Sequence, residues 1–390
     1  MTKAILTLNA GSSSVKFALF DCENDLAALQ KGQISGIGTD AVLKIKDGTG
    51  ATIIDRDVSD AQVADPGAAL RLVLNQLDDI APGLDIRAIG HRIVHGGVEN
   101  DGPVVLDAAK IAELEALSPF APLHQPHNLA GVAAAQEVFP SLPQIGCFDT
   151  AFHRSHPWEN DTFALPQEYY DKGVRRFGFH GLSYEYIVSH MRDFAPFHVD
   201  GGVVVAHLGN GASMCAIRGG QSVGSTMGFS ALDGLPMGTR SGQLDPGVVL
   251  YMMDQLKMAP AEIENLLYRE SGLKGLSGLS NDMRELMSSD KPEAAQAIDY
   301  FVFRIRREIG AMAAILGGLD GVVFTGGIGE NADYIRERIC DDMDWLGLEL
   351  DERRNRRNEK VISSDRSRVR LFVIPTNEEL MIAEHVQKLV

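Results

Sequence analysis

Two glycine- and serine-rich turns decide the fold of this chain: Leu8-Asn9-Ala10-Gly11-Ser12-Ser13-Ser14-Val15-Lys16 and His207-Leu208-Gly209-Asn210-Gly211-Ala212-Ser213. Glycine lets the backbone turn tightly and approach a ligand, and successive N–H groups in such a turn form a concavity that binds anions. One such turn is weak evidence, because Gly and Ser also build ordinary turns. The same device stands between apolar strand-like segments in each half of the chain. The sequence therefore predicts a duplicated fold that holds phosphates.

Length and composition set the class of protein. A chain of 390 residues exceeds what one hydrophobic core usually serves, so two domains are expected. The net charge of −17 disfavours nucleic acid as a partner. No run approaches the roughly 20 apolar residues that span a bilayer, and no signal peptide is recognisable at the N-terminus. The four cysteines are scattered without a Cys-x-x-Cys pair, which indicates a reducing, cytoplasmic location.

The order of predicted elements also repeats. Strand-like segments fill the first 55 residues, and then helices and strands alternate up to a strand at 144–148. From Gly201 the order strand, turn, strand begins again and leads through helices at 245–256, 260–270 and 292–316 to a last helix at 377–388. Such alternation, occurring twice, predicts two α/β lobes.

A third glycine cluster, Phe324-Thr325-Gly326-Gly327-Ile328-Gly329-Glu330-Asn331, follows a strand and precedes a predicted helix at 331–340. A helix N-terminus favours anions, so this junction suits a nucleotide. The alternative is an ordinary tight turn, but the number of glycines exceeds what a turn requires. The spacing matches neither the Walker A motif nor the dinucleotide-binding fingerprint.

Three charged residues are candidates for chemistry. Arg92 ends an otherwise apolar strand and Arg240 lies in a glycine-rich loop. A guanidinium fork suits carboxylate or phosphate oxygens, although either arginine alone could form a structural ion pair. Asp149 follows a strand, where α/β active sites gather, although a turn cap would use the same residue.

The histidines and the basic run are weaker signals. His180, among aromatic residues, could be an ordinary core histidine. His91 and His95 have helical spacing in a segment that reads as a strand, so a shared metal is not expected. The basic run 353–360 is interpreted as a solvated helix face.

Together these segments closely resemble the acetokinase family of the actin/hexokinase/Hsp70-like superfamily. The resemblance runs in order from residue 9 to residue 380, which is far more specific than any single motif. The matching motifs are Asn9–Lys16, Gly90-His91-Arg92-Ile93-Val94-His95-Gly96-Gly97, Ala121–His124, Phe148–His153, Arg176–Gly181, His207–Ser213, Met237–Gly242, Gly326–Asn331 and Pro375–Leu380.

The resemblance implies two ribonuclease-H-like lobes of the actin-like ATPase type, with the active site in the cleft between them. The N-terminal lobe would comprise 1–150 and 376–390, and the nucleotide-binding lobe 151–375. The implied activity is reversible, in-line transfer of the ATP γ-phosphoryl group to acetate, giving acetyl phosphate and ADP. Mg²⁺, or alternatively Mn²⁺, would assist. A cytoplasmic homodimer is implied, with no nucleic-acid or membrane partner.

The resemblance also assigns roles to individual residues. Asn9 and Glu378 would hold the metal, Arg92 would bind the acceptor carboxylate, and Asp149, His180 and Arg240 would be catalytic. An apolar substrate pocket would comprise Val94, Leu123, Phe179 and Ala231. The nucleotide and its phosphates would contact Lys16, His207, Leu208, Gly209, Asn210, Gly211, Asp282, Met283, Arg284, Gly327, Ile328, Gly329, Glu330 and Asn331.

Elementary chemistry makes these roles reasonable. Phosphoryl transfer requires alignment and charge neutralisation more than covalent chemistry. A carboxylate acceptor is already an anion near neutral pH, so it needs nearby cations rather than a strong base. Asp149 is therefore expected to position the acceptor or the metal, although the family assigns it proton transfer. His180 would stabilise a phosphoryl oxygen electrostatically.

Four residues depart from the family pattern. Leu182 and Tyr184 replace an expected Thr and His. Gln243 stands where an Asp is expected, and this replacement would change the charge near Arg240. Ala231 stands where relatives often have proline, which favours better acceptance of propionate. A propionate or butyrate kinase is therefore the alternative within the family. A non-metabolic actin-like ATPase is the alternative outside it.

Overall fold

The computed structural model describes residues 1–11, 14–59, 62–122 and 124–390, with only the backbone described for Asp78. Two compact units divide the chain. Unit 1 comprises Met1–Phe152, Gly181–Tyr186 and Asn377–Val390, and unit 2 comprises His153–His180 and Ile187–Thr376. The short segment Gly181–Tyr186 belongs to unit 1, because Leu182 packs in its hydrophobic core. The lobe boundaries expected from the sequence do not include this segment, and as functional domains they stay a prediction.

Unit 1 is built around a mixed sheet of eight strands. The strands are β1 (Thr2–Ala10), β2 (Ser14–Asp21), β3 (Ala27–Ser35), β4 (Val42–Asp47), β5 (Thr52–Asp57), β6 (Leu84–Ile93), β7 (Val104–Val105) and β8 (Gln144–Phe148). Its helices before residue 150 are α1 (Pro66–Asn75), α2 (Leu77–Ile80), α3 (Ala108–Glu115) and α4 (Gln125–Val138).

Unit 2 carries most of the later elements. Its helices are α5 (Trp158–Asp161), α6 (Gln167–Asp171), α7 (Gly181–Phe194, shared with unit 1), α8 (Pro196–Asp200), α9 (Pro246–Asp254), α10 (Pro260–Arg269), α11 (Gly272–Ser277), α12 (Met283–Met287), α13 (Pro292–Leu316), α14 (Gly326–Asn331), α15 (Asp333–Cys340) and α16 (Glu352–Arg356). Its strands are β9 (Gly202–Leu208), β10 (Ala212–Arg218), β11 (Gln221–Ser225), β12 (Gly321–Thr325) and β13 (Arg370–Val373). The C-terminal helix α17 (Glu378–Gln387) returns to unit 1.

The two sheets share one topology. The order β3-β2-β1-β6-β8 in unit 1 matches β11-β10-β9-β12-β13 in unit 2. In each, the first two neighbouring pairs are antiparallel and the last two are parallel. Each glycine-rich turn joins the first two strands of its unit in sequence order. The predicted duplication is therefore confirmed at the level of strand order and direction.

Local sequence explains several element boundaries. Asp65 caps α1 by accepting a hydrogen bond from the Ala68 N–H, and Pro66 occupies the first turn, where no N–H is needed. Helix α13 ends with Gly317 as its C-cap. This residue has a left-handed backbone conformation, which glycine adopts readily. The buried residues of α13, which include Ala294, Ala297, Ile298 and Phe301, recur at three- and four-residue spacing, as expected for a helix with one face in the core.

Other expectations need correction. The glycine cluster after β12 is itself helix α14, and the predicted helix 331–340 begins at Asp333 as α15. The basic run 353–360 forms only the short α16, and Asn355 within it is fully buried, so it is not simply a solvated helix face. Among the described residues, none of the helices combines the length and apolarity needed to cross a membrane.

Candidate functional site

Three polar residues of unit 1 lie at the ends of adjacent parallel strands. Asn9 lies near the end of β1, Arg92 near the end of β6, and Asp149 directly after β8. Strand β6 pairs in parallel with both β1 and β8. The three residues therefore share one sheet edge, the edge at which α/β proteins bind ligands.

The Arg92 guanidinium is held by the Asp149 carboxylate. Arg92 Nε donates to Asp149 Oδ1 at 3.0 Å, and Nη2 donates to Oδ2 at 2.6 Å. The Asp149 side chain is 2% exposed and that of Arg92 19% exposed. A bidentate pair of this kind fixes the plane of the guanidinium. Asp149 therefore orients Arg92 and leaves the Nη1 and Nη2 edge as the part that faces other groups.

Two further oxygen-bearing side chains surround Arg92. Its Nη1 lies 3.4 Å from Asn9 Oδ1, and its Nε lies 3.7 Å from Glu378 Oε2. Glu378 reaches this position from the first turn of α17, where Asn377 caps the helix by accepting from the Leu380 N–H. One cation thus gathers two carboxylates and an amide oxygen.

The charges in this cluster are strongly coupled. Burial opposes the charged form of Arg92, but Asp149 and Glu378 outweigh it and raise the pKa of the guanidinium. Burial also raises the pKa of the Asp149 carboxyl group, with Arg92 opposing and Glu378 reinforcing the rise. Arg92 is therefore a permanent cation, and its charge stabilises the ionised form of the buried Asp149 carboxylate.

Lys16 lies on β2, beside Asn9 of the Arg92 cluster. It pairs with Asn9 across the β1–β2 hairpin and lines a cavity of about 610 Å³ together with Lys31, Lys44 and Glu379, among others. Ser12 and Ser13 of the same turn are outside the described residues.

In unit 2, His180 and Arg240 converge on the second glycine turn. A methyl group built on Gly211 would come within 3.4 Å of His180 Nε2 and 4.0 Å of Arg240 Nη1. His180 Nδ1 hydrogen bonds with Ser213 Oγ at 2.9 Å, and its ring stacks on His207 at 4.4 Å between centroids. Arg240 Nη1 donates to the Ala231 carbonyl oxygen at 3.0 Å. Two potential donors therefore approach the turn that was predicted to hold phosphates.

A cavity of about 540 Å³ opens beside the same turn. It brings together three segments far apart in sequence: the turn after β9, α12 with the two residues before it, and α14 with the residue after it. The lining residues are Gly209, Asn210, Asn281, Asp282, Met283, Arg284, Met287, Gly327, Ile328, Asn331 and Ala332.

Glycine is required where these segments meet. Gly326 has φ +75°, and a methyl group there would come within 2.8 Å of the Leu208 carbonyl oxygen. Gly327 faces open space, so the backbone of α14 is uncovered at that point. Close packing at Gly326 and an open surface at Gly327 together present helix backbone to the cavity.

Several predicted nucleotide residues do not line this cavity. Leu208 and Gly329 are buried, and His207 stacks on His180. Glu330 folds back on its own helix, where its Oε1 accepts from the N–H groups of Gly326 at 2.9 Å and Thr376 at 3.1 Å. A carboxylate of the same helix therefore occupies the Gly326 N–H, while the backbone at Gly327 stays open to the cavity, and nucleotide binding at this junction stays a prediction.

A buried arginine supports α14 from its other end. Arg336 Nη1 donates to the carbonyl oxygens of Gly329 at 2.9 Å and Glu330 at 3.0 Å, and Nε donates to Asn355 Oδ1 at 2.8 Å. Burial lowers the pKa of Arg336 to about 10, so it stays charged at neutral pH. A cation at helix carbonyls is favourable, and it fixes the helix that lines the cavity.

The predicted apolar pocket residues are divided between the units. Val94, buried, follows β6 in unit 1, and its N–H donates to Asn128 Oδ1 at 2.9 Å. Phe179, buried, and Ala231 belong to unit 2. Leu123 lies outside the described residues.

The departures from the family pattern have structural explanations. Gln243 Oε1 accepts from Arg304 Nη2 at 3.0 Å and also from Arg307, so it serves a contact with α13. Tyr184 is fully buried and stacks on Phe152, and Leu182 packs in the core of unit 1. Both act as packing residues.

Sequence reasoning missed Asn281, Met287 and Ala332 in the cavity lining. Asn281 Nδ2 donates to Asn210 Oδ1 at 3.1 Å, which ties the start of α12 to the glycine turn. Its position beside Asp282, which caps α12, was the available signal, since Asn and Asp cluster where helices begin.

Comparison with solved structures places this fold in a class, the kinases of small carboxylates. A propionate kinase from Francisella tularensis subsp. tularensis SCHU S4 has a TM-score of 0.91 at 36% identity, covering 98% of each chain. An acetate kinase from Porphyromonas gingivalis has a TM-score of 0.87 at 36% identity, covering 99% of each chain. The predicted fold class, α/β with two actin-like ATPase lobes, is confirmed.

Comparison of sequences gives the family. An acetate kinase from Methylocella silvestris is 56% identical over 393 aligned residues, covering 99% of this chain and 97% of that protein. The sequence pattern of the acetokinase family matches residues 4–384 of this chain. The chain belongs to the acetokinase family.

Proposed function

We propose that this protein catalyses the reversible transfer of the γ-phosphoryl group of ATP to acetate, giving acetyl phosphate and ADP. Membership of the acetokinase family supports this reaction. The single observation that carries it is the Arg92 guanidinium, fixed by Asp149 at the carboxyl edge of the unit 1 sheet. A cation with one edge still directed outward is what binding of a small carboxylate requires.

The acceptor is proposed to bind through its carboxylate to the Nη1 and Nη2 edge of Arg92, with Val94, Leu123, Phe179 and Ala231 around its methyl group. Asp149 keeps the guanidinium plane in place and takes no proton, because the acceptor is already ionised near neutral pH. One acetate oxygen attacks the γ-phosphorus, the bond from phosphorus to the β,γ-bridging oxygen breaks, and ADP leaves with that electron pair.

His180 and Arg240 are proposed to act on the transferring group. Their Nε2 and Nη1 atoms approach Gly211 of the second glycine turn, which is where donors to the equatorial phosphoryl oxygens would be placed. An arginine in this role neutralises charge as the transition state forms. His180 adds a donor whose orientation is set by its hydrogen bond with Ser213.

The cavity beside the turn is proposed to hold the nucleotide. Its volume of about 540 Å³ is in the range of small-molecule sites. Eight of the residues proposed to contact the nucleotide line it: Gly209, Asn210, Asp282, Met283, Arg284, Gly327, Ile328 and Asn331. The other proposed contacts would act on phosphates or support the lining residues: Lys16, His207, Leu208, Gly211, Gly329 and Glu330.

The residues at the Arg92 cluster fit a magnesium ion held largely by substrate. Within the described ranges, no group of three or more His, Cys, Asp or Glu side chains is arranged to hold a metal. Mg²⁺ bound with nucleotide phosphates needs only one or two protein oxygens and keeps several waters. Asn9 Oδ1 and the Glu378 carboxylate would supply these, and the ion, or Mn²⁺, would neutralise phosphate charge.

The reaction is tested by trapping the product. The protein is incubated with ATP, Mg²⁺ and acetate, propionate or butyrate, and acyl phosphate is converted to the hydroxamate with hydroxylamine. We expect hydroxamate with acetate in excess of the other acids. Failure to form it with any of the three would contradict the kinase assignment, and release of phosphate alone would favour the actin-like ATPase alternative.

Ala231 favours a graded acceptance of propionate. Because alanine leaves space where relatives often have proline, Ala231→Pro is expected to lower the propionate-to-acetate ratio of kcat/KM by up to about 10-fold. Proline retains the carbonyl oxygen that accepts from Arg240. Ala231→Gly, which adds no bulk, is the control and should not lower the ratio. Equal ratios in wild type and Ala231→Pro would remove this explanation of specificity.

A homodimer is proposed from an exposed apolar helix. Helix α9 has no buried residue, although Val248, Leu250, Tyr251 and Met253 lie on it, and Leu250 and Tyr251 are 59% and 55% exposed. So much apolar surface on one helix indicates an interface, and a second copy of the chain is the simplest occupant.

The dimer is tested by light scattering after size exclusion. We expect wild type at twice the chain mass of 42.3 kDa and Leu250→Glu at the mass of one chain. Phe197→Glu, at a residue 74% exposed on α8, is the matched control and should stay dimeric. A wild-type monomer at micromolar concentration would refute the proposal.

We also propose a cytoplasmic location. All four cysteines are free thiols, which is typical of a reducing compartment, and ATP is the proposed substrate. The net charge of −17 supports a small-molecule enzyme without a nucleic-acid partner.

A further inference from the structure

His180 is held in an unusual backbone conformation. It has φ +60°, in the left-handed region, which only a few per cent of non-glycine residues adopt, with Asn, Asp and His over-represented among them. Gly178, two residues earlier, has φ +73°. Such a conformation persists only when the surrounding structure enforces it. The segment Phe177–His180 must therefore be fixed by contacts outside itself.

The ring of His153 provides those contacts. A methyl group on Gly178 would come within 2.5 Å of the His153 ring, so the ring lies directly against that backbone. His153 Nε2 hydrogen bonds with the Phe179 carbonyl oxygen at 3.0 Å. The peptide bond that links Phe179 to His180 is thus anchored by His153.

The Ser222 hydroxyl lies between the rings of His153 and His156, and these contacts define the tautomer of His153. Its Nδ1 lies 2.8 Å from Ser222 Oγ, and the same Oγ lies 2.8 Å from His156 Nε2. Because a carbonyl oxygen only accepts, His153 Nε2 must carry the proton, and neutral Nδ1 must accept from the Ser222 hydroxyl. Ser222 Oγ then accepts from the His156 Nε2–H.

The protonation states of His153 and His156 agree with this direction of hydrogen bonding. Burial lowers the pKa of His153 well below its ordinary value and that of His156 to about 3, so both rings are neutral. His156 Nδ1 is then a bare lone pair, and this atom is buried without a hydrogen-bond partner in the described part of the chain. The order His156, Ser222, His153, Phe179 carbonyl is a one-way hydrogen-bond chain.

We propose that His153 is a positioning residue for phosphoryl transfer: through its hydrogen bond to the Phe179 carbonyl it holds His180 where its Nε2 reaches the phosphate-binding turn. This inference rests on the role proposed above for His180. His153 itself touches neither substrate nor reacting atoms in this account. Ser222 and His156 act one and two steps further back, by keeping the His153 proton on Nε2.

The test is a double-mutant cycle with kcat and KM measured for acetyl phosphate formation from MgATP and acetate. His153→Leu is expected to lower kcat by about 10- to 100-fold, the loss typical of a misplaced catalytic group. The KM values for ATP and acetate should stay within about twofold, and in a His180→Ala background the same change should alter kcat by less than about twofold. His153→Gln, whose amide can still donate near the Nε2 position, should recover part of the loss.

Two further variants keep the test decisive. His198→Leu removes another partly buried histidine of unit 2, whose ring packs against Phe372, and it should leave kcat unchanged. If His153→Leu does not fold, Ser222→Ala removes a single hydroxyl and should lower kcat about 3- to 10-fold, again only when His180 is present.

Equal losses of kcat in both backgrounds, or no loss in wild type, would overturn the role of His153 while leaving the proposed reaction intact. Full activity of His180→Ala would overturn both this inference and the role of His180. A wild-type protein that forms no acetyl phosphate would instead overturn the proposed function.

Discussion

Replacing Arg240 by alanine is expected to lower kcat for acetyl phosphate formation by about 10³- to 10⁵-fold, the range for an arginine that stabilises phosphoryl transfer. The Arg240 side chain is anchored by the Ala231 carbonyl oxygen at 3.0 Å and approaches the Gly211 turn with Nη1. Its loss removes a cation from the developing charge. The KM for ATP should change far less than kcat, and steady-state kinetics measure both.

Two variants control this experiment. Arg240→Lys keeps the charge without the planar fork and should fall between wild type and alanine. Arg338→Ala removes a partly buried arginine of the same unit that pairs with Asp299 at 2.8 Å, and it should leave kcat unchanged. A kcat for Arg240→Ala within about 10-fold of wild type would remove Arg240 from the transition state.

The second large effect is expected for Asp149→Asn. Asparagine has nearly the same shape but lacks the charge, so Arg92 loses its buried ion pair and the second of two fixed hydrogen bonds. We expect kcat/KM for acetate to fall by about 10²- to 10³-fold. The free energy of unfolding should also fall by about 1.5–3 kcal/mol, because Arg92 loses a charged hydrogen-bond partner while the Glu378 carboxylate remains 3.7 Å away. Kinetics and urea denaturation measure the two losses.

A positioning role and a proton-transfer role for Asp149 predict different pH profiles. If Asp149 orients Arg92, the residual activity of Asp149→Asn should keep the wild-type dependence on pH. Glu113→Gln removes a carboxylate that pairs with Lys110 at 2.6 Å in the same unit, and it should leave KM for acetate unchanged. Loss of the acidic limb of the profile in Asp149→Asn alone would show that Asp149 exchanges a proton during turnover.

The fold was predictable because its signals are local and repeated. Apolar strands on both sides of two glycine turns fix the β1–β2 and β9–β10 hairpins, and α13 was predicted at its observed bounds of 292–316. The short helices α5, α6 and α8 were not predicted, because a turn or two of helix carries little periodicity, and the longer α7 was missed as well. Helix α14 was taken for a turn, since glycine normally disfavours helix and here serves close packing at Leu208.

The candidate site was predictable only in part. Arg92 and Asp149 were each identified, but their bidentate contact depends on the parallel pairing of β6 with β8, which residue patterns do not give. The same holds for Glu330, whose side chain returns to Gly326 across one helical turn. His153 ends one of the family motifs, but its part could not be predicted, since it depends on the left-handed backbone of His180 and on Ser222, 69 residues away.

The most direct test of the account follows both products of one reaction by ³¹P NMR. With wild-type protein, MgATP and acetate, we predict an acyl phosphate signal that grows in equal amount with ADP, and neither signal above background when acetate is omitted. ADP formed with inorganic phosphate at the same rate with and without acetate would contradict transfer to a carboxylate held by Arg92.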